Sequence, residues 1–297
     1  MIFDILFIRH GQSCANIWSK ISVQKKISYK DPELTKSGIE SSVRLGKILQ
    51  TVVADIWPNK PFAIGSSQMI RAQETAYYMI ARDTAIPIHI LPHVAEKGIS
   101  YDNYSLPKHL QYDILQQRTP DIISSLEAGM DAREKQTAFG KSNWNLFITW
   151  AMNHPEFFEQ GDDGVYRAVI FTHSKFLQST FQLATKIINN NGIRTIVDTN
   201  TLRKYPTHTR IDIGEINPSS CPDNCVRSPC AESITRVNTR LKIHTRKNNF
   251  YSNLELNNVP KRFRGDTPKN ITNQYKSIKM GGRTKTKTRK LRHRRSV

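Results

Sequence analysis

Residues 2–16 read Ile-Phe-Asp-Ile-Leu-Phe-Ile-Arg-His-Gly-Gln-Ser-Cys-Ala-Asn. From Ile2 to Phe7 only Asp4 is polar, the pattern of a short strand buried on both faces. The run stops at Ile8 and is followed by Arg9, His10, Gly11, Gln12 and Ser13. Open α/β sheets place their ligands beyond the carboxyl ends of strands. A guanidinium, an imidazole and a glycine that permits a sharp turn or a close approach therefore mark a candidate site. Taken alone, Arg-His-Gly fits a solvated arginine and a packed histidine equally well.

The rest of the chain repeats the pattern. Cys14 to Ser19 opens a helix whose N-terminal amides would face the same pocket, where free N–H groups favour an anion. Asp31, Leu34, Thr35 and Gly38 introduce a second helix with apolar positions at Ile39, Val43, Leu45, Ile48, Leu49, Val52 and Val53, and Thr35 is its expected N-cap. Phe62–Gly65 reads as a strand leading to Ser66, Ser67, Gln68 and, on a helix, Arg71. Pro87–Leu91 is a strand leading to His93 and Glu96, and Val169–Phe171 a strand ending in Thr172, His173 and Ser174 before a helix from Lys175 to about Ile188. Helical patches fall at 108–117 and 121–128, and the aromatic stretch 142–158 has the spacing of a core-facing helix. Beyond Asn189–Gly192, a turn signal, Thr209–Ile213 and Ser233–His244 alternate as strands do. The predicted class is α/β, a three-layer αβα sandwich with a mostly parallel central sheet. Such a sheet would gather Arg9, His10, Arg71 and His173 at one edge, a cationic pocket suited to phosphate.

Charge divides the chain. The formal net charge is +19, and residues 261–297 hold 14 Lys/Arg against the single acid Asp266. That block cannot bury a core and reads as a disordered basic tail, separate from a domain at 1–260. It is suited to non-specific binding of nucleic acid or an anionic surface, or to a nuclear address. No apolar run is long enough to span a membrane, and Asp4 interrupts what would be a signal-peptide core. Four cysteines, three of them at Cys221, Cys225 and Cys230, do not make a disulfide framework, so a reduced, intracellular and cytoplasmic chain is expected. An insertion at about 214–232 carries those three. With His208 or His244 they offer zinc ligands, although the spacing is not that of paired Cys-x-x-Cys and a loop with free thiols is the simpler reading.

In order, these elements resemble the histidine phosphatase superfamily, the phosphoglycerate mutase-like fold. Arg9-His10-Gly11-Gln12-Ser13 with Asn16 resembles its signature. Asp31-x-x-Leu34-Thr35-x-x-Gly38 resembles its second element, Ser67-x-x-x-Arg71-Ala72-x-x-Thr75-Ala76 its third, and Phe171-Thr172-His173-Ser174 the strand that carries its second histidine. Together they span residues 2–185. Ser174 replaces the usual Gly or Ala, and Ser67-Gln68-Met69 the usual Ser-Pro-Leu, without removing a charge. The covering segment of the cofactor-dependent mutases is not recognisable between Glu96 and Trp144.

The resemblance implies a metal-independent phosphatase that hydrolyses phosphate monoesters, in small molecules or phosphoproteins, through a phosphohistidine on His10 and without a cofactor. Arg9, Arg71 and His173 would clamp the phosphoryl oxygens, with Asn16 and Ser174 as further substrate contacts. Glu96 is the expected acid and base, with Asp102 the next candidate. His93, His154, His208 and His244 are expected to have no catalytic part. A mutase-like phosphotransferase, or a weakly active phosphate-binding scaffold with a nucleic-acid-binding tail, are the alternatives.

Overall fold

The structure, a computed structural model, describes residues 1–21, 30–98, 101–134, 142–201 and 206–214. In chain order these form β1 (Ile2–Arg9), α1 (Cys14–Ile21), α2 (Lys36–Ile56), β2 (Ala63–Ser67), α3 (Ile70–Ala76), β3 (Ile88–Leu91), α4 (Lys108–Arg118), α5 (Ile122–Glu127), α6 (Trp144–Asn153), β4 (Glu159–Gln160), β5 (Val165–Thr172), α7 (Ser174–Thr180), β6 (Gly192–Asp198) and β7 (Thr209–Ile211). The sheet order is β3-β2-β5-β1-β6-β7, with β4 beside β5. Strands β3, β2, β5 and β1 run parallel, whereas β6 is antiparallel to β1 and β7 to β6.

The apolar run of β1 occupies the middle of this sheet because it has side chains to bury on both faces. Leu6 and Ile8 join Ile64, Val169 and Phe171 against Leu45, Leu49 and Val53 of α2. Phe3, Ile5 and Phe7 join Ile170 and Ile193 against Trp144, Phe147 and Ile148 of α6 and Phe176 of α7. Helices therefore cover both faces, and the α/β sandwich expected from the sequence is the fold observed. Asp4, the one polar residue within the run, is buried but paired: it accepts from Trp57 Nε1 at 2.8 Å and from Arg194 Nε and Nη2 at 2.9 and 2.6 Å. A buried carboxylate requires such partners.

Thr35 caps α2 as expected, accepting from the Gly38 N–H at 2.9 Å. The face that α2 buries is narrower than its apolar pattern suggests. Gly38, Ser42 and Gly46 lie on it, while Ile48 is 44% exposed. The small residues let the helix come close: a Cβ on Gly46 would lie 2.5 Å from the Met79 carbonyl oxygen.

Several elements differ from the expectation. The helix after His173 ends at Thr180, not near Ile188, because Gln182 takes a left-handed conformation (φ 51°) and turns the chain. Leu183 and Ile187 still reach the core. Strand β6 was hidden behind the Asn189–Gly192 turn signal. β5 starts at Val165, earlier than Val169, and Arg167 within it donates from Nη1 to Asp163 just before the strand. Cys14 is buried. The segment 233–244, Cys221, Cys225, Cys230 and His244, and the tail 261–297 lie outside the described residues. No helix among the described residues is long and apolar enough to cross a membrane.

Candidate active site

Four parallel strands deliver one group each to their common carboxyl edge. β1 and β5 pair in register with Arg9 opposite Thr172, and the ladder continues as the His10 N–H donates to the Thr172 carbonyl at 2.9 Å. His10 and His173 therefore leave adjacent strands side by side, with ring centroids 5.0 Å apart. Arg71 follows β2 on α3, and Glu96 follows β3. A nitrogen of His10, a nitrogen of His173 and a carboxylate oxygen of Glu96 all lie within 4.8 Å of one another.

Local hydrogen bonds decide what each ring presents. His10 Nδ1 is 2.7 Å from the carbonyl oxygen of Gly11, so Nδ1 carries the proton and donates it there. The lone pair then lies on Nε2, which accepts from Arg71 Nε at 3.2 Å. Arg71 also donates from Nη1 to the Asp102 carbonyl at 2.9 Å. His173 Nε2 is 2.6 Å from the Ser67 hydroxyl, which itself accepts from the Met69 N–H. Taking the hydroxyl as donor to His173 Nε2 places the ring proton on Nδ1. Burial holds both imidazoles well below the ordinary histidine pKa. Arg71 and Arg9 push in the same direction, and His10 adds its own contribution at His173. Both rings are neutral at pH 7.

Glu96 behaves oppositely. Burial raises its carboxyl pKa, against the pull of Arg71, Lys175 and Arg9, while its Oε1 accepts the backbone N–H groups of Lys97 and Lys175, each at 3.1 Å. Arg9 is brought down to about 10 by burial, with Arg71 lowering and Glu96 raising it, and remains a cation. Its Nη1 donates to the Ile187 carbonyl at 2.5 Å.

Among the described residues, Arg9 Nε, His173 Nδ1 and Ser174 Oγ at this edge are buried without a hydrogen-bond partner. Each can donate, and a buried donor without a partner costs roughly 1–3 kcal/mol. An anion seated against His10 Nε2 would satisfy donors of this kind. The same His10, Glu96 and His173 atoms are of the types that ligate a metal. A cation there would face the Arg71 guanidinium, already bonded to His10 Nε2, and the nearby Arg9. The chemistry of the donor set fits an anion better.

The loop carrying His10 is held from behind. Gly11 donates to Thr75 Oγ1 at 3.0 Å, and Thr75 Oγ1 donates to the Arg71 carbonyl at 2.6 Å, tying the loop to α3. The Thr35 N–H donates to the Gln12 carbonyl at 3.0 Å. A Cβ on Gly38 would lie 2.1 Å from that oxygen, so only glycine fits. Gly11 is close-packed too: its added Cβ would be 2.8 Å from Ser42 Oγ and 3.3 Å from the Gly38 carbonyl, so its smallness serves the approach of α2. Asp31 accepts from Ile70 N–H (2.9 Å) at the start of α3, and from Leu106 N–H (2.9 Å) and Gln111 Nε2 (2.5 Å), fixing both segments that orient Arg71.

Not every expected contact is made. The first amides near α1 are used internally, Ser13 N–H by Asn16 Oδ1 and Cys14 N–H by the Glu33 carbonyl, so they do not face an anion. Asn16 spends its Oδ1 on Ser13 and on Asn189 Nδ2. Asp102 contributes its backbone carbonyl to Arg71. His93 contacts Glu134, and His154 contacts Glu156. Sequence reasoning assigned no part to Ser67, although it occurs in the third motif, or to Asn189, whose Nδ2 donates to the His10 carbonyl at 2.9 Å.

Residues 5–136 match the model of the histidine phosphatase superfamily (branch 1). No curated protein matches the sequence. Similar solved structures include the alpha-ribazole phosphatase from Shigella flexneri, at 17% identity over 72% of this chain and 100% of that one, with a TM-score of 0.39. The phosphoglycerate mutase from Bacillus anthracis has 15% identity over 71% of this chain and 94% of its own, TM-score 0.41. A phosphoserine phosphatase variant from Entamoeba histolytica in complex with phosphoserine has 14% identity over 71% and 98%, TM-score 0.40. The matched span contains Arg9, His10, Arg71 and Glu96, and the fold adds His173 from β5 beside them. Over residues 5–136, and in the order of its elements, the chain is similar to the histidine phosphatase superfamily.

Proposed function

We propose that the protein is a metal-independent phosphatase that hydrolyses phosphate monoesters through a phosphohistidine on His10. The observation that carries this reading is the set of partnerless buried donors, Arg9 Nε, His173 Nδ1 and Ser174 Oγ, beside an imidazole whose Nε2 is held unprotonated. In the first step His10 Nε2 attacks phosphorus in line, and the bond to the leaving oxygen breaks as Glu96 gives that oxygen its proton. Arg71 turns its N–H groups from Nε2 to the phosphoryl oxygens, joined by Arg9 and the His173 Nδ1–H, where charge spreads in a loose transition state. In the second step the Glu96 carboxylate takes a proton from water, which attacks phosphorus and breaks the P–N bond, restoring His10 and the Glu96 acid. Ser174 remains a candidate substrate contact, while Asn16 would act by bracing the loop that carries His10.

A panel of phosphate esters tests this, assayed with and without chelator. The expected result is phosphate release that chelator leaves unchanged and His10→Ala abolishes in a folded protein. Undiminished turnover by the variant would reject the mechanism. Release to water, and not to an added alcohol, would separate this phosphatase from a mutase-like phosphotransferase.

A further inference from the structure

An attacking lone pair on His10 Nε2 requires that the Nδ1 proton stay on the Gly11 carbonyl, 2.7 Å away. That carbonyl belongs to a glycine, whose backbone has more conformations open to it than any other residue's. Something must therefore hold the peptide that joins His10 to Gly11. Both of its polar groups are taken. The Gly11 N–H donates to Thr75 Oγ1 at 3.0 Å, and the His10 carbonyl accepts from Asn189 Nδ2 at 2.9 Å. A peptide unit is planar, so holding it at both ends fixes its rotation and the direction in which the chain continues to the Gly11 carbonyl.

Asn189 lies outside all four motifs and arrives beside His10 from β6. That strand pairs antiparallel with β1, Gly192 opposite Ile8, and the pairing continues past both strand ends. The Arg9 N–H donates to the Asn191 carbonyl at 2.9 Å, and the Asn190 N–H to the Arg9 carbonyl at 3.0 Å. Asn191 is anchored in turn, its Nδ2 donating to Asp212 Oδ1 at 2.9 Å and its Oδ1 accepting the Ile213 N–H at 3.0 Å. The half-buried Asn189 amide has a second contact, from Nδ2 to Asn16 Oδ1 at 3.4 Å. Asn16 Oδ1 already takes the Ser13 N–H, so both partners of Asn189 Nδ2 are acceptors and the position calls for a donor.

Resting on the phosphatase reading above, we infer that Asn189 is a positioning residue for the nucleophile. Its side-chain amide, with Thr75 on the opposite side, holds the His10–Gly11 peptide so that the ring proton stays on Nδ1 and the lone pair on Nε2. Without that amide the peptide can rotate and the Gly11 carbonyl can leave Nδ1. The ring proton is then free to move to Nε2, where it blocks attack on phosphorus. Among the described residues the Asn189 amide bonds to His10 and Asn16, not to Arg9, Arg71 or His173. It therefore serves the chemical step and not the binding of phosphate.

The test uses the full-length protein with isotope-labelled histidine nitrogens and two variants, Asn189→Ala and Asn189→Leu, the second keeping the volume without a donor. NMR spectra separate protonated from unprotonated ring nitrogens, and His10→Ala identifies the His10 signals. Wild type should carry the His10 proton on Nδ1, and each variant should show a mixture of the two tautomers. On the best ester of the panel kcat should fall about tenfold, the effect of one lost hydrogen bond. KM and the inhibition constant of inorganic phosphate should each move less than about twofold. Urea midpoints establish that a variant is folded, and if one fails to fold the other carries the test. An unchanged tautomer or an unchanged kcat in a folded variant would overturn the inference. So would a loss confined to KM and phosphate affinity, the mark of a loop that has merely collapsed. These results leave the phosphatase reading standing. Absence of turnover by wild type on the whole panel would instead remove that reading, and this inference with it.

Discussion

His10 commits one ring nitrogen to the backbone and offers the other, and that division has consequences for pH. Its pKa lies well below the ordinary histidine value, mainly through burial, and that of Glu96 above the ordinary carboxylate value, also through burial. The nucleophile must be unprotonated and the acid protonated, so kcat/KM for esters with poor leaving groups should peak on the acid side of neutrality. Glu96→Gln should slow such esters by about a hundredfold or more and p-nitrophenyl phosphate, whose leaving group needs little help, far less. Equal slowing would move the acid elsewhere, with Asp102 tested next. Ser67→Ala, which frees His173 Nε2, should lower kcat about tenfold, the equivalent of one buried hydrogen bond. The same histidines link stability to pH. Their folded pKa values are depressed, so below about pH 6.5 the unfolded chain binds protons that the folded one does not. Each should remove up to about 1.4 kcal/mol per pH unit as pH falls from there until its folded pKa is reached, with Glu96 opposing weakly. Urea midpoints at pH 7 and pH 5.5 check this: a rise on acidification would contradict it.

At the scale of elements, the legible parts of the sequence were those with strong local causes. β1 announced itself by an apolar run with one paired carboxylate, and α2 by the Thr35 cap. Asp31, Leu34, Thr35 and Gly38 were legible as a pattern, but their work was not. Gly38 matters because the Gln12 carbonyl occupies the space of its Cβ, and Asp31 because it accepts from two backbone segments distant in sequence. Such partners exist only once the chain is folded. Asn189 shows the same limit: a run of three asparagines signals a turn, but nothing local says that its first member reaches the His10 carbonyl. The end of α7 was misjudged because apolar spacing continues through Leu183 and Ile187, which reach the core without a helix. Gly38→Ala should destabilise the fold by about 3 kcal/mol and disturb the loop it presses on, seen as a lower urea midpoint and lower turnover. A variant with unchanged midpoint would show that the loop yields freely.

At the scale of the whole molecule, charge and chemistry are expected to separate. Residues 261–297 supply +13 of the net +19, from 14 Lys/Arg less one Asp, and include none of the motif residues. Removing them should leave turnover of a small ester unchanged, while binding to nucleic acid or anionic vesicles falls sharply. In the full-length protein that binding should weaken steeply with salt as counterion release loses its drive. A higher KM confined to polyphosphorylated substrates would mean that the tail recruits substrate. Loss of turnover on every substrate in a folded truncation would place the tail in the active site.

The central claim is that phosphoryl transfer passes through His10. Mixing the protein with its best ester, quenching in base where phosphohistidine survives, and sequencing the peptides by mass should place one added phosphoryl group on the peptide containing His10. Its formation should keep pace with leaving-group release, and His10→Ala should show none. An unlabelled His10 peptide during steady turnover, or a label equally present in the variant, would contradict the account.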